Sequence, residues 1–340
     1  MSLAKTPVTI ITGFLGAGKT TLVRHLMANP QGKRLAVLVN EFGSLGVDGE
    51  ILKSCADANC PVDNIIELAN GCICCTVADD FIPAMEKLLA LPQKPDHILI
   101  ETSGLALPKP LLKAFDWPAI RSRITVDGVI ALADAEAVAA GLFAPEEHAA
   151  SATASEHEHE TPLSEVFEDQ VACADIVLLT KADLADAQAR AKAREIILAE
   201  APRKVPVIEV ANGAIDPRLI LGLNAEAEAD LASRPSHHDG HDDHEHEDFD
   251  TLAITLPEIA DVEALKQAIR GLAREQHVLR VKGYVAVKDK PMRLLVQAVG
   301  ERVNAQFDRP FGADAPVSRL VVIAEHDHID EAAIRGALGG

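Results

Sequence analysis

Cys72, Cys74 and Cys75 fall within four residues of one another in Gly71-Cys72-Ile73-Cys74-Cys75, the densest cluster of reactive side chains in the chain. Thiols that close cannot all pair into relaxed disulfides, so they read as reduced and available to metal. Two or three of them can converge on one ion, and a thiolate set suits Zn²⁺, Cu⁺ or tetrahedral Co²⁺. A helix beginning near Ala78 would add N-terminal positive potential that favours ionised thiols. Cys55 and Cys60 flank Ala-Asp-Ala-Asn and could form a second pair, whereas Cys173 lies in an apolar stretch and reads as core.

A second kind of chemistry is written in Gly13-Phe-Leu-Gly16-Ala17-Gly18-Lys19-Thr20, which satisfies the pattern G-x-x-x-x-G-K-S/T. Gly13, Gly16, Ala17 and Gly18 would turn backbone N–H groups toward phosphate oxygens, and Lys19 would reach the β- and γ-phosphates. The Thr20 hydroxyl would ligate Mg²⁺, with Thr21 beside it. Thr180-Lys181-Ala182-Asp183 follows an apolar run and sits where guanine-specific proteins carry N-K-x-D. The Asp183 carboxylate can accept both N–H donors on the Watson–Crick edge of guanine, a pair adenine lacks. Lys181 would lay its stem over the base or the phosphate loop, and Thr180 replaces the usual Asn. Glu101-Thr102-Ser103-Gly104 offers a carboxylate for the Mg²⁺ water shell or for the attacking water. Asn40-Glu41-Phe42-Gly43, with Asp48 a few residues on, has the place of a loop that orders around Mg²⁺ and γ-phosphate. Glu41 could position water or complete the thiolate site, and Asp48 is the candidate Mg²⁺-linked contact.

These residues need a scaffold, and the pattern of the chain supplies one. Residues 8–12 are continuously apolar and β-branched, as expected of a strand buried on both faces. Further strands are expected at 35–39, 65–68, 97–100, 128–133, 176–180 and 207–210, with helices at 20–28, 82–91 and 185–201 among those between them. Alternation of this kind implies an α/β domain with a mainly parallel sheet. The expected boundaries are 1–222 for this domain, with a His/Glu-rich insertion near 146–162. Residues 223–249 form a His/Asp/Glu-rich linker, its 233–248 stretch too polar to bury cheaply and read as a disordered tether. Residues 250–340 form a small α+β domain, with strands at 251–256, 278–287, 293–299 and 319–324 and helices at 262–274 and 331–338.

Of the 340 residues, 48% are apolar and 25% charged, an ordinary globular balance, and 3% are aromatic, so the cores must rest on Leu, Ile, Val and Ala. A net charge of −20 argues against a nucleic-acid binder, which needs a basic face. No run is long enough to span a bilayer. The apolar N-terminal stretch leads directly into the phosphate loop and reads as a strand rather than a signal peptide. Clustered reduced thiols suggest the cytoplasm.

In this order, GFLGAGKTTL, NEFG with its later Asp, GCICC, ETSG and the K-x-D element resemble the CobW family of P-loop GTPases. Within it, DQVACADIVLLTKADL, VANGAIDPRLILGL and DKPMRLLVQAVGERV are most similar to the branch tied to aerobic cobalamin synthesis. The resemblance implies a GTPase that cycles between GTP and GDP with Mg²⁺ and hands Co²⁺ to a cobaltochelatase. Zinc homeostasis or activation of another client metalloenzyme is the alternative within the family. It implies Gly13 to Thr20 at the phosphates, Lys181 and Asp183 at the base, and Cys72, Cys74 and Cys75 at the metal. A small-metabolite kinase would need convergent arginines in a substrate pocket, and no such cluster is seen. A nucleotide-independent metal buffer is the remaining reading.

Overall fold

Alternate residues of the central strands face two different helical layers. In β1 (Thr6–Gly13) Val8 and Ile10 join one core and Ile11 the other. In β2 (Leu35–Asn40) Ala36 and Leu38 oppose Leu35, Val37 and Val39; in β4 (His97–Glu101) Ile98 and Ile100 oppose Leu99. A strand that must satisfy apolar neighbours on both sides has no polar face, which is why these runs read as uninterrupted. In this computed structural model, the residues described are 5–40, 47–68, 80–118, 120–142, 163–237, 239, 249–276, 278–311, 317–325 and 329–339.

The chain divides into two units, Met1–Glu41 with Asp48–His244, and Phe42–Val47 with Glu245–Gly340. The sheet of the first adds β3 (Ile65–Leu68), β5 (Ile124–Asp134), β6 (Ile176–Thr180) and β7 (Val207–Glu209). All seven strands are parallel, in the order β3-β2-β4-β1-β5-β6-β7. Sequence order reverses on either side of β1, and ligands of such sheets bind beyond the carboxyl ends of strands at that point. One core is closed by α3 (Ile82–Leu89) and α4 (Pro108–Ala114), the other by α1 (Lys19–Ala28). Beyond β5, α5 (Ala135–Ala140), α6 (Leu163–Cys173) and α7 (Ala187–Glu200) pack on β5 and β6. The short α2 (Val47–Lys53) follows β2.

The start of the expected linker does not leave this unit. Ala227 is fully buried in the core, and Arg234 is 1% exposed. Arg234 donates to the Cys173 carbonyl and pairs with Asp175 at 2.7 Å. The stretch 233–248 reads as a tether because nothing in its His/Asp/Glu-dominated composition looks cheap to bury. Asp175 and a backbone carbonyl meet that cost with charge-assisted bonds.

The second unit is an antiparallel sheet, β11-β10-β9-β12-β8, formed by β8 (Phe249–Leu256), β9 (Val278–Val285), β10 (Met292–Val299), β11 (Arg302–Pro310) and β12 (Ser318–Glu325). Leu265, Ile269 and Leu272 of α8 (Val262–Glu275) and Ile334 and Leu338 of α9 (Glu331–Leu338) share its core. Edge strand β11 was not expected from sequence. Its inward residues Val303 and Ala305 alternate with Arg302, Asn304 and Gln306, a weak signal in so polar a run.

At the amino end of β4, His97 is completely buried. Its Nε2 lies 2.8 Å from Thr9 Oγ1 and 3.9 Å from the Asp127 carboxylate, which accepts N–H bonds from Gly222 and Asn224. Burial holds the imidazole down to about 4 from its usual 6.5, and Asp127 offsets this only in part. The unfolded chain therefore takes up a proton below pH 6.5 that the folded chain refuses until about pH 4. His97's contribution is complete above the higher value and is lost progressively as pH falls toward the lower. Urea unfolding followed by the single tryptophan, Trp117, should weaken over that window more steeply in the wild type than in His97→Gln. The difference in slope should reach at most about 1.4 kcal/mol per pH unit. Parallel profiles would refute the assignment.

Candidate functional site

The loop after β1 delivers its chain into α1 through Gly18, whose φ of 100° places it in the left-handed region. No side chain caps the first turn of α1, so its N–H groups face outward, as an anion site requires. Ala17 N donates to Phe14 O at 3.2 Å, closing the loop on itself. Lys19 is 6% exposed and its Nζ donates to the carbonyls of Gly13 at 2.6 Å and Phe14 at 3.2 Å. The ammonium thus rests on the rim of the loop, held by these two carbonyls.

Thr20 brings two of the predicted carboxylates together. Its Oγ1 lies 2.8 Å from Asp48 Oδ1 and 2.7 Å from Glu101 Oε1. A hydroxyl has one proton, so it can satisfy one carboxylate at a time. One hydroxyl and two carboxylates, both nearly buried, form an oxygen set suited to a hard dication. The residues present fit Mg²⁺. Asp48 arrives from the start of α2 and Glu101 from the end of β4, the strand beside β1.

After Glu101 the chain runs close over the phosphate loop. Thr102 N donates to Ile11 O at 3.0 Å, and Thr102 Oγ1 to Thr12 Oγ1 at 3.1 Å. A Cβ on Gly104 would stand 2.9 Å from Leu15 N, so only glycine allows this approach.

A cleft of about 190 Å³ opens beside α1, lined by Gly18, Thr21, Thr180, Lys181, Asp183 and Asn212 among others. Thr180 is not a weak substitute for Asn here. Its hydroxyl donates to Ala17 O at 2.8 Å, with Ala133 O at 3.2 Å, tying β6 to the phosphate loop. Lys181 takes a left-handed φ of 55°, a strained choice for a non-glycine residue, and its ammonium pairs with Asp134 at 2.7 Å. Arg190 of α7 holds the same loop by donating to the carbonyls of Ala182 and Ala185. Asp183 stands exposed at the rim, its Oδ1 3.3 Å from Asn212 N.

Asn212 and Gly213 form a turn with φ of 52° and 69°, and a Cβ on Gly213 would lie 2.7 Å from Thr21 Cγ2. Sequence reasoning did not assign this wall of the cleft, nor Asp134. The Asn-Gly dipeptide after an apolar strand was a usable signal for the turn. Asp134 carries no such mark, since its meeting with Lys181 is made by the adjacency of β5 and β6.

The cysteines divide. Cys60 is buried, and burial, reinforced by Asp57, pushes its thiol up to about 12. It packs in a core with Cys55 at its edge, the environment of a small apolar side chain rather than of a ready thiolate. Cys173 is core, its thiol likewise pushed by burial to about 12. Glu41, Cys72, Cys74 and Cys75 lie outside the described residues, as does the insertion near 146–162. Among the described residues, no group of three or more His, Cys, Asp or Glu side chains could hold a metal, and no helix is long and apolar enough to cross a membrane.

Residues 7–209 match the family profile described as CobW/HypB/UreG, nucleotide-binding domain, and residues 249–340 match Cobalamin synthesis protein cobW C-terminal domain. The chain is 50% identical over 342 residues to Zinc chaperone CobW of Sinorhizobium sp, covering 98% of this chain and 96% of that one. It is 51% identical over 351 residues to Zinc chaperone CobW of Pseudomonas aeruginosa, covering 99% and 92%. Among solved structures, Zn(II)-bound YjiA GTPase from E. coli is 26% identical, with 98% of both chains covered and a TM-score of 0.43. A nucleotide-binding profile across more than half its length and near full-length identity of about one half place this chain in the CobW family of P-loop GTPases.

Proposed function

We propose that the protein is a GTP-hydrolysing metallochaperone that takes up a divalent metal at Cys72, Cys74 and Cys75 when Mg²⁺–GTP is bound. Hydrolysis to GDP then releases the ion to a client metalloenzyme. The observation that carries the metal half is the near full-length identity to two proteins named zinc chaperones. Zn²⁺ is therefore the cargo best supported. Delivery of Co²⁺ to a cobaltochelatase is the second reading. It is favoured by the C-terminal match to a cobalamin synthesis domain. The clustered thiols and the net charge of −20 fit a cytoplasmic protein without nucleic-acid partners.

The nucleotide half rests on geometry. Lys19 would exchange the Gly13 and Phe14 carbonyls for the β- and γ-phosphates. Thr20, Asp48 and Glu101 would hold Mg²⁺, which supplies positive charge against the phosphate oxygens. Glu101, with Glu41, would orient the attacking water. Lys181 and the exposed Asp183 would grip the base in the cleft lined by Thr21 and Asn212.

GTP and GDP should bind much better than ATP and ADP. Asp183→Ala should cost guanine nucleotides about 1.5–3 kcal/mol, roughly tenfold to hundredfold, and erase the preference. Equal competition by ATP against a fluorescent GDP would defeat the base assignment.

Lys19→Ala should abolish hydrolysis and any nucleotide dependence of metal binding while leaving the circular-dichroism spectrum unchanged. Wild-type turnover should be slow, since GTPases without an arginine finger are poor catalysts. Phosphate release from the Lys19→Ala protein at the wild-type rate would remove the lysine from the mechanism.

For the cargo, Co²⁺ titration read by thiolate charge-transfer absorbance should show tighter binding with a GTP analogue than with GDP. By linkage, the metal should tighten the analogue by the same factor. Zn²⁺ should displace Co²⁺ in competition, following the Irving–Williams order. Equal affinities in the two nucleotide states, or no loss when Cys72, Cys74 and Cys75 become Ser, would end the metallochaperone reading.

A further inference from the structure

Arg234, Ser236, His237 and Asp239 lead into the His/Asp/Glu-rich run, and all four are fastened to the nucleotide-binding unit. Arg234 is the anchor, buried on Asp175 and the Cys173 carbonyl. Asp169 of α6, 2% exposed, accepts three bonds from the segment. They come from Ser236 Oγ at 2.5 Å, His237 N at 3.1 Å and His237 Nδ1 at 2.8 Å. His237 Nε2 lies 3.2 Å from Glu168, also of α6, and Asp239 pairs with the nearly buried Lys109 of α4. Ser236 N in turn donates to Asp239 Oδ2 at 3.1 Å.

The same two helices hold the loop that leaves the nucleotide site. Gln170, next to Asp169 and 1% exposed, directs Nε2 at the carbonyls of Gly104 and Ala106, 3.2 Å from each. Lys109 stands three residues beyond Ala106, in the first turn of α4. The loop itself begins at Glu101, which contacts Thr20. A continuous set of contacts thus runs from Thr20 through Glu101, Gly104, Gln170 and Asp169 to His237.

We propose that Arg234, Ser236, His237 and Asp239 form a latch whose closure is linked to nucleotide state through the Glu101–Ala106 loop, Gln170 and Lys109. This rests on the reading of the phosphate loop as a GTP site. A γ-phosphate and Mg²⁺ that re-seat the loop move the carbonyls Gln170 holds, and α4 with them. The carboxylates and ammonium that fasten the segment move as a consequence. One nucleotide state therefore favours the fastened segment more than the other. Proximity alone does not establish such coupling, so reciprocity is the criterion.

The amides of Ser236 and His237 report the latch directly, because each donates to a latch carboxylate. Hydrogen exchange of the full-length chain, with GDP and with Mg²⁺ plus a non-hydrolysable GTP analogue, should differ at these amides by about fivefold or more. Gln170→Met keeps the shape of the side chain but removes its N–H donors. It should abolish the difference while leaving GDP affinity unchanged. Asp239→Ala, at a half-exposed position, should loosen the latch and shift the ratio of analogue to GDP affinity in the reciprocal direction. Equal exchange in both states, with both nucleotides bound by fluorescence titration, would overturn the latch and spare the GTP site. Failure of either nucleotide to bind would overturn the GTP-site reading and the latch with it.

Discussion

Asp48 and Glu101 approach one hydroxyl, that of Thr20, and a hydroxyl carries one proton. Two nearly buried carboxylates therefore compete for the one proton of that hydroxyl. The arrangement forms only because β4 lies beside β1 and α2 begins beside them both. Much of the first unit maintains it: the two-sided apolar strands, the open N-terminus of α1, and the passage of Gly104 over Leu15.

The cleft beside α1 is held by strained backbone and compensating polar contacts. Lys181 and Asn212 both adopt left-handed conformations. Lys181 is secured by Asp134, its loop by Arg190, and the Asn212 turn by its contact with Asp183 and its packing on Thr21. Thr180 joins the cleft to the phosphate loop, its hydroxyl donating to the Ala17 carbonyl.

The chain carries 32 Lys and Arg against 52 Asp and Glu, so most local environments are acidic. In the first unit several of the cations are spent on acidic groups around α6, with Arg234 and Arg203 on Asp175 and Lys109 on Asp239. The region is polar, yet it is packed. A buried arginine that satisfies a carboxylate and a carbonyl is an anchor, and its removal would leave charge buried without a counterpart.

By itself the sequence determined most of the local elements, β11 excepted, and the identity of the chemical groups. The buried strand before Gly13, the helix from Lys19, the parallel α/β pattern and the place of Asp183 after a strand all follow from short-range periodicity and turn chemistry. The resemblance in motif order extended that reading to the family. Only tertiary structure decided which groups meet. Nothing in the spacing of Thr20, Asp48 and Glu101 gives a distance under 3 Å, because the order of parallel strands sets it. Likewise Cys60 is one thiol among six in the sequence and an inert core residue in the fold, where desolvation raises its pKa. The residues from Arg234 to His237 look like solvated linker until α6 supplies Asp169 and Glu168 as partners. Burial and pairing between residues far apart in the chain are properties of the packed state, and no local pattern encodes them.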